Sequence, residues 1–242
     1  MQTVRGTIFV VIAYGLMMVM GLILLIPALL SRKVALRSVQ LYLRIGLVLL
    51  RVICGTRCQV RGTPPTGPCI IAAKHQSFLD IWLLTVALPE PRFVMKRSLL
   101  YTPVLGVFAR RMGCVPIDRQ AGSKAIRTME RGFAQDIMHG QIVIYPQGTR
   151  VAPGDKREYK IGVLRLHERF GLPVELVATN AGCFWPRFGL WRAPGEAVLE
   201  FLGPVPPDTD RGRIMREIEN RVETASDALM ERAGGTGNVH QS

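Results

Sequence analysis

Ile70-Ile71-Ala72-Ala73-Lys74-His75-Gln76-Ser77-Phe78-Leu79-Asp80 joins an apolar run to a polar turn and then to a second apolar segment, and its reading decides the fold. Consecutive apolar residues, without polar alternation, suit a strand covered on both faces. Ser77 is a good helix N-cap with Asp80 at the third helical position, so a helix over Phe78 to Leu88 starts here. His75 and Asp80 then lie at the carboxyl end of a strand, where ligands and catalytic groups of open α/β sheets gather. On one regular helix they would point about 140° apart, so contact requires His75 outside the helix and Asp80 in its first turn. A carboxylate so placed fixes the imidazole tautomer and leaves the other ring nitrogen free as a general base. The same residues allow a plainer reading, in which Asp80 completes a capping box and His75 ends a strand.

Downstream, β-like runs alternate with helical stretches. Phe93 to Lys96 precedes Leu105 to Arg111, Val115 to Ile117 precedes Lys124 to His139, and Ile142 to Tyr145 precedes Tyr159 to Phe170. Val174 to Ala178 and Val198 to Phe201 precede Arg213 to Arg232. This alternation predicts an α/β fold, a mixed sheet flanked by helices. Upstream, Thr63-Pro-Pro-Thr-Gly-Pro68 marks a linker. The chain divides into residues 1–55, a membrane anchor with an amphipathic interfacial helix; 56–233, the α/β domain; and 234–242, a flexible Gly-rich tail.

The N-terminal part carries its own signal. Among its first 79 residues are nine Lys or Arg and no acid, within a chain of 242 residues whose formal net charge is +13. Those cations sit in long apolar runs, so a membrane of anionic lipids is favoured over nucleic acid as the polyanionic partner. Thr7 to Leu30 holds 24 residues without a charge, roughly 36 Å as a helix at about 1.5 Å per residue, enough to span a bilayer as an uncleaved anchor. Arg32, Lys33 and Arg37 follow it and only Arg5 precedes it, which places the catalytic part on the cytoplasmic side of an inner or cytoplasmic membrane. Between Val34 and Ile53 the arginines fall at 37, 44 and 51, one stripe of a helix, with Leu41, Ile45, Val48, Leu49 and Val52 assigned to the other side. This reads as a helix lying among lipid headgroups, with a core helix packed on the domain as the alternative.

Five cysteines, an odd number, with no CxxC pair and no zinc-type His spacing, exclude a disulfide-stapled secreted protein and a zinc site. Cys114, between Gly113 and Val115, reads as buried. A composition that is 48% apolar and 20% charged excludes a disordered chain.

Two further groups carry chemistry. Ile142-Val-Ile-Tyr-Pro-Gln147-Gly148-Thr149-Arg150 runs a strand into a Gly turn that ends in Arg; Gly permits close backbone approach and Arg offers a planar fork for phosphate. Lys96 and Arg119 each follow a strand, with Pro103, Gly106 and Gly113 between them. Phe184-Trp-Pro-Arg-Phe-Gly-Leu-Trp-Arg192 mixes aromatics and Arg, which suits either a membrane interface or a packed loop.

In this order the motifs resemble the 1-acylglycerol-3-phosphate acyltransferase family, glycerolipid acyltransferases with a His-x4-Asp motif. The resemblance covers Pro68 to Pro204 and rests on His75…Asp80, on Lys96…Pro103…Gly106 with Gly113 to Arg119, on Tyr145 to Arg150, and on Leu172-Pro173-Val174. It implies the glycerol-3-phosphate acyltransferase-like fold preceded by N-terminal membrane helices. It makes His75 the base and Asp80 its orienting partner, and puts Gly148, Thr149, Arg150 and Arg119 in the glycerol-phosphate site, with Lys96 and Gln147 also binding substrate. The implied reaction transfers an acyl chain from acyl-CoA or an acyl carrier protein to a lysophospholipid, with no metal and no other cofactor. Two positions depart from the family pattern: Gln147 stands where Glu is usual, and Ser98 where an acid is usual. Gln147 keeps a lyso-aminolipid or other lysolipid acceptor open, and a thioester or lipid hydrolase is the rival from another class. No Gly-x-Ser-x-Gly elbow occurs, so direct attack by the lipid hydroxyl is the simpler mechanism.

Overall fold

A computed structural model describes residues 1–207 and 209–234; beyond Gly234 the expected tail lies outside the described residues. Seven strands form one sheet: β1 (Thr56–Arg61), β2 (Cys69–Ala73), β3 (Pro91–Lys96), β4 (Val115–Ile117), β5 (Gln141–Ile144), β6 (Val174–Thr179) and β7 (Gly195–Pro204), in the order β1-β7-β6-β2-β5-β3-β4. Five neighbours from β6 to β4 run parallel, while β7 is antiparallel to β6 and carries β1 parallel to itself. The sheet is therefore mixed. β2, the central strand, is buried along its whole length, as its unbroken apolar run requires.

Side-chain alternation along the strands sends residues to two separate cores. Ile71, Ala73, Val143 and Tyr145 face a core shared with α1 (Gln2–Ile23) and α4 (Phe78–Ala87). Ile70, Ala72, Ile142 and Ile144 face the other, under α6 (Ser123–Ala134), α7 (Gly162–Phe170) and α8 (Arg211–Arg232). The helices α2 (Leu25–Leu30), α3 (Arg32–Leu49) and α5 (Leu105–Arg111) complete the layer over the first core.

Several expectations need correction. The run through Leu30 is not one helix: Pro27 has no N–H for the Ile23 carbonyl, and α1 ends at Ile23. Helix α1 alone is still long and apolar enough to cross a membrane. Thr56 to Arg61 is a sheet strand preceding the Pro-rich linker, so the sheet begins before that linker. The chain before residue 55 also belongs to the main core: Phe9 is fully buried, with ring centroids 5.5 Å from Trp185 and 6.1 Å from Trp82, and Leu50 and Cys54 join it. The faces of α3 differ from the expected ones as well. Leu41 and Val48 are exposed on the same side as Arg37 and Arg44, because a residue four on from an arginine shares its face, and Arg51 and Val52 are both exposed in the π-helical turn Leu50–Cys54 that follows. The inward side is Ala35, Leu43 and Gly46; Gly46 lets the Trp82 ring approach so closely that a Cβ there would lie 2.5 Å from it.

Candidate active site

The turn after β2 builds both readings of its sequence at once. Ser77 caps α4 by accepting from Leu79 N at 3.1 Å, and Asp80 closes the capping box. Asp80 Oδ2 accepts from the backbone N–H groups of Gln76 and Ser77, both at 2.7 Å, and lies 3.1 Å from His75 Nδ1. The carboxylate that starts the helix therefore also orients the ring, since an acceptor at Nδ1 selects the tautomer with its proton there. Nε2 is left on the far side of the ring. Burial is the main force lowering the His75 pKa below its ordinary value; Asp80 opposes it, and the charges of Arg119 and Arg150 add to it. The result is a neutral imidazole at pH 7, the form a general base needs.

His75 opens on a cavity of about 470 Å³ that extends between the sheet and helices α1, α3, α4 and α5. Its walls are overwhelmingly apolar, among them Ala13, Met17, Val39, Leu43, Trp82 and Phe108. That size and lining suit a small-molecule chain rather than a macromolecule. His75 and Arg119 are ionisable groups in the wall, and Tyr145 lies beside them. The Tyr145 ring stacks on His75 with centroids 3.8 Å apart and planes 15° apart.

The four motifs contribute unequally. Arg119, just beyond β4, reaches the cavity wall, and burial lowers its pKa. Arg150 packs its guanidinium 4.5 Å from the centre of the Phe78 ring, donates to the Arg187 carbonyl at 2.8 Å, and is near enough to influence His75. Gly148 closes the turn by donating to the Tyr145 carbonyl at 2.9 Å with φ of 70°, a conformation that favours glycine. A Cβ there would come within 3.4 Å of the Lys160 ammonium, a cation the sequence reading missed. Thr149 is half-buried between Gly148 and Arg150. Lys96 stands apart: it is exposed at the end of β3 and outside the cavity wall.

Gln147 points elsewhere. Its Nε2 donates to Glu223 Oε1 at 3.3 Å, and Glu223, on α8, also accepts from Lys74 Nζ at 2.6 and 2.7 Å and from the Tyr159 hydroxyl at 2.7 Å. Lys74 is only 2% exposed. A glutamate at 147 would set a second carboxylate against Glu223 with one ammonium between them. The amide at 147 suits the carboxylate at 223, to which it donates. No signal in the sequence pairs residues 74 and 223, which are 149 positions apart. Among the described residues no group of three or more His, Cys, Asp and Glu side chains could hold a metal ion.

The acyltransferase family model matches residues 57–178, half of the chain. This chain belongs to the acyltransferase family. It is 32% identical over 189 residues to the 1-acyl-sn-glycerol-3-phosphate acyltransferase of Pseudomonas aeruginosa, covering 76% of this chain and 73% of that one. It is 28% identical over 217 residues to the human alpha form, covering 80% and 76%. The crystal structure of the 1-acyl-sn-glycerophosphate acyltransferase PlsC from Thermotoga maritima superposes with a TM-score of 0.76 over 95% of this chain and 99% of that one, at 20% identity, which shows a shared fold. In this acyltransferase the matched segment includes the candidate residues from His75 to Arg150, while Glu223 on α8 lies beyond it.

Proposed function

We propose that the chain transfers an acyl group from an acyl thioester, acyl-CoA or acyl carrier protein, to the free hydroxyl of 1-acyl-glycerol-3-phosphate, giving phosphatidic acid. One observation carries this reading: a neutral, oriented histidine at the polar end of a cavity whose remaining wall is apolar, with Arg119 in that wall and Arg150 nearby. The apolar part suits an acyl chain, and the guanidinium groups suit a phosphate, which they can grip in bidentate fashion. His75 Nε2 takes the proton from the attacking hydroxyl while its oxygen bonds to the thioester carbon. Collapse of the tetrahedral intermediate breaks the C–S bond, and the imidazolium returns the proton to sulfur. Asp80 holds the ring and balances the charge it acquires. His75 and Asp80 are the catalytic pair in this reading, and Arg119, Gly148, Thr149 and Arg150 bind the glycerol phosphate.

The lipid substrates call for a membrane surface. The exposed residues Val4, Ile8, Val11 and Val19 of α1 suit the bilayer, and Arg37 and Arg44 of α3, with Arg51 in the π-helical turn Leu50–Cys54 that follows it, suit anionic headgroups beside it. The positive flank of α1 favours the cytoplasmic leaflet. The test is purified protein with labelled acyl-CoA or acyl carrier protein and a panel of lysolipids, with products identified by mass. Phosphatidic acid is the expected product. Thioester turnover that needs no lipid acceptor would replace the reading by a hydrolase, and acylation of a different lysolipid alone would replace the acceptor.

A further inference from the structure

The connection from β6 to β7 is packed at both ends and bare in the middle. Phe184 and Trp185 belong to the core shared with α1 and α4, and Arg192 is buried with its guanidinium 4.3 Å from the centre of the Trp185 ring. Between them Arg187, Phe188, Gly189 and Leu190 are exposed, Phe188 at 72% and Leu190 at 41%. This tip is held in place. Arg150 Nη1 donates to the Arg187 carbonyl at 2.8 Å, Arg192 Nη1 donates to the Gly189 carbonyl at 3.2 Å, and Gly189 turns the chain with a φ of 82°, which favours glycine. Gly6 of α1 lets the Leu190 carbonyl and the Arg192 stem rest against the helix, where a Cβ would meet both. Val4 and Ile8, on either side of Gly6, are exposed. On its other side the Phe188 ring lies 6.0 Å from the Arg150 guanidinium, which in turn lies 4.5 Å from the ring of Phe78. Phe78 is 40% exposed and also lines the cavity, so it marks where the cavity meets the surface. Apolar side chains held out by a fixed backbone, next to others exposed on α1, form a patch that calls for a partner.

We infer that the Arg187–Leu190 tip docks into the interface of an anionic bilayer, with Phe188 and Leu190 among the lipids and Arg187 at their phosphates, so that the cavity opens beside Phe78 against the leaflet that holds the acceptor. Charge supports that partner. No carboxylate occurs between Glu175 and Glu196, whereas Arg187 and Arg192 do, and Arg150 and Arg5 adjoin the tip and the first turns of α1. Such a surface is drawn to anionic lipid, and aromatic rings with arginine suit the depth at which chains meet headgroups. An acidic protein would answer the cations but not the apolar tip beside the exposed residues of α1. The two guanidinium clamps keep Phe188 and Leu190 ordered before lipid arrives, so docking does not have to order the loop. Arg150, between Phe78 and Phe188, then stands at the boundary that a lysolipid phosphate crosses on its way from the leaflet to His75. The inference deepens the lipid-acceptor reading, on which its kinetic consequence rests.

The experiment is Phe188→Trp in the full-length protein, reconstituted into vesicles of anionic phospholipid with plain or brominated acyl chains, with the wild-type emission subtracted. Bromine quenches an indole only in contact with it. The added emission should be blue-shifted in plain vesicles and mostly quenched in brominated ones. Emission that stays at its aqueous wavelength overturns the inference, and so does blue-shifted emission that bromine leaves alone, which would put a protein surface on the tip. A second variant, Phe188→Ser with Leu190→Ser, reads the consequence for turnover. Losing a buried apolar side chain is worth about tenfold in partition, so the KM for lysophosphatidate presented in anionic vesicles should rise about tenfold or more. The KM for a short-chain lysophosphatidate dissolved as monomers, kcat and the thermal midpoint should hold. No rise in vesicles overturns the link between tip and cavity, and an equal rise for both acceptors would make the tip a substrate contact instead. Quenching requires no turnover, so a wild-type protein that acylates no lysophosphatidate yet shows the quenched indole would sink the acceptor reading and leave the docking surface standing.

Discussion

Lys74 and His75 are neighbours in the chain, both buried at the end of the central strand, yet they do opposite things. Strand alternation turns Lys74 toward α8 and His75 toward the apolar cavity. Lys74 pairs with both carboxylate oxygens of Glu223, which also accepts from Tyr159 and Gln147. His75 is bonded through Nδ1 to Asp80, and its Nε2 makes no hydrogen bond among the described residues. A buried polar group tied into a cluster of charged and polar partners holds the fold, whereas one with a ring nitrogen left free can do chemistry. The difference between the two faces is therefore one of pairing, since both residues are buried.

Substitutions can break or sharpen that contrast. The largest effect is expected for His75→Ala, which should lower turnover by about 10²–10⁴-fold, the usual contribution of a general base. Its urea midpoint should move little. Unfolding at much lower urea than wild type would show that His75 is as structural as Lys74, and the contrast would fail.

Lys74→Ala should do the reverse. Removing one partner of a buried ion pair leaves Glu223 uncompensated and costs about 3–5 kcal/mol of folding stability, read from the urea denaturation curve. Activity measured on the fraction still folded should be close to wild type. A companion variant, Gln147→Glu, should also destabilise, by setting like charges together, and should leave acceptor preference unchanged. A shift of preference toward lysophosphatidate would instead put residue 147 in the acceptor site.

Arg150→Lys is expected to act on the cavity side alone. An ammonium cannot reproduce the planar bidentate contact of a guanidinium, so the acceptor KM should rise while kcat holds. A raised thioester KM with an unchanged acceptor KM would move Arg150 to the donor. The smallest effect concerns pH. With its pKa lowered by burial and by two nearby cations, His75 should keep its base form to below pH 6.5, and the acid limb of kcat/KM should fall below that value. Arg119→Gln removes one of those cations, raises the His75 pKa and should move the limb upward. A limb that stays put would show that the Arg119 charge does not reach the ring.

What the sequence determined by itself is what short-range rules govern. The unbroken apolar run at Ile70 to Ala73, the Ser77 cap and the period-two alternation set the strand, the helix and the His75–Asp80 contact, because each needs only residues within about ten of one another. The strand and helix alternation from Phe93 to Arg232 followed from the same local periodicities, although helices such as Lys124 to His139 proved shorter, ending at Ala134. Tertiary structure decided the rest. Thr56–Arg61 became a strand because β7 lay beside it, and Phe9 entered the core because it packs against the paired rings of Trp82 and Trp185. Gln147 turned from the cavity to Glu223, and Lys96 stayed in solvent, for reasons set by elements far away in the chain. Burial and pairing across such separations depend on which surfaces meet, and a local pattern carries no record of that.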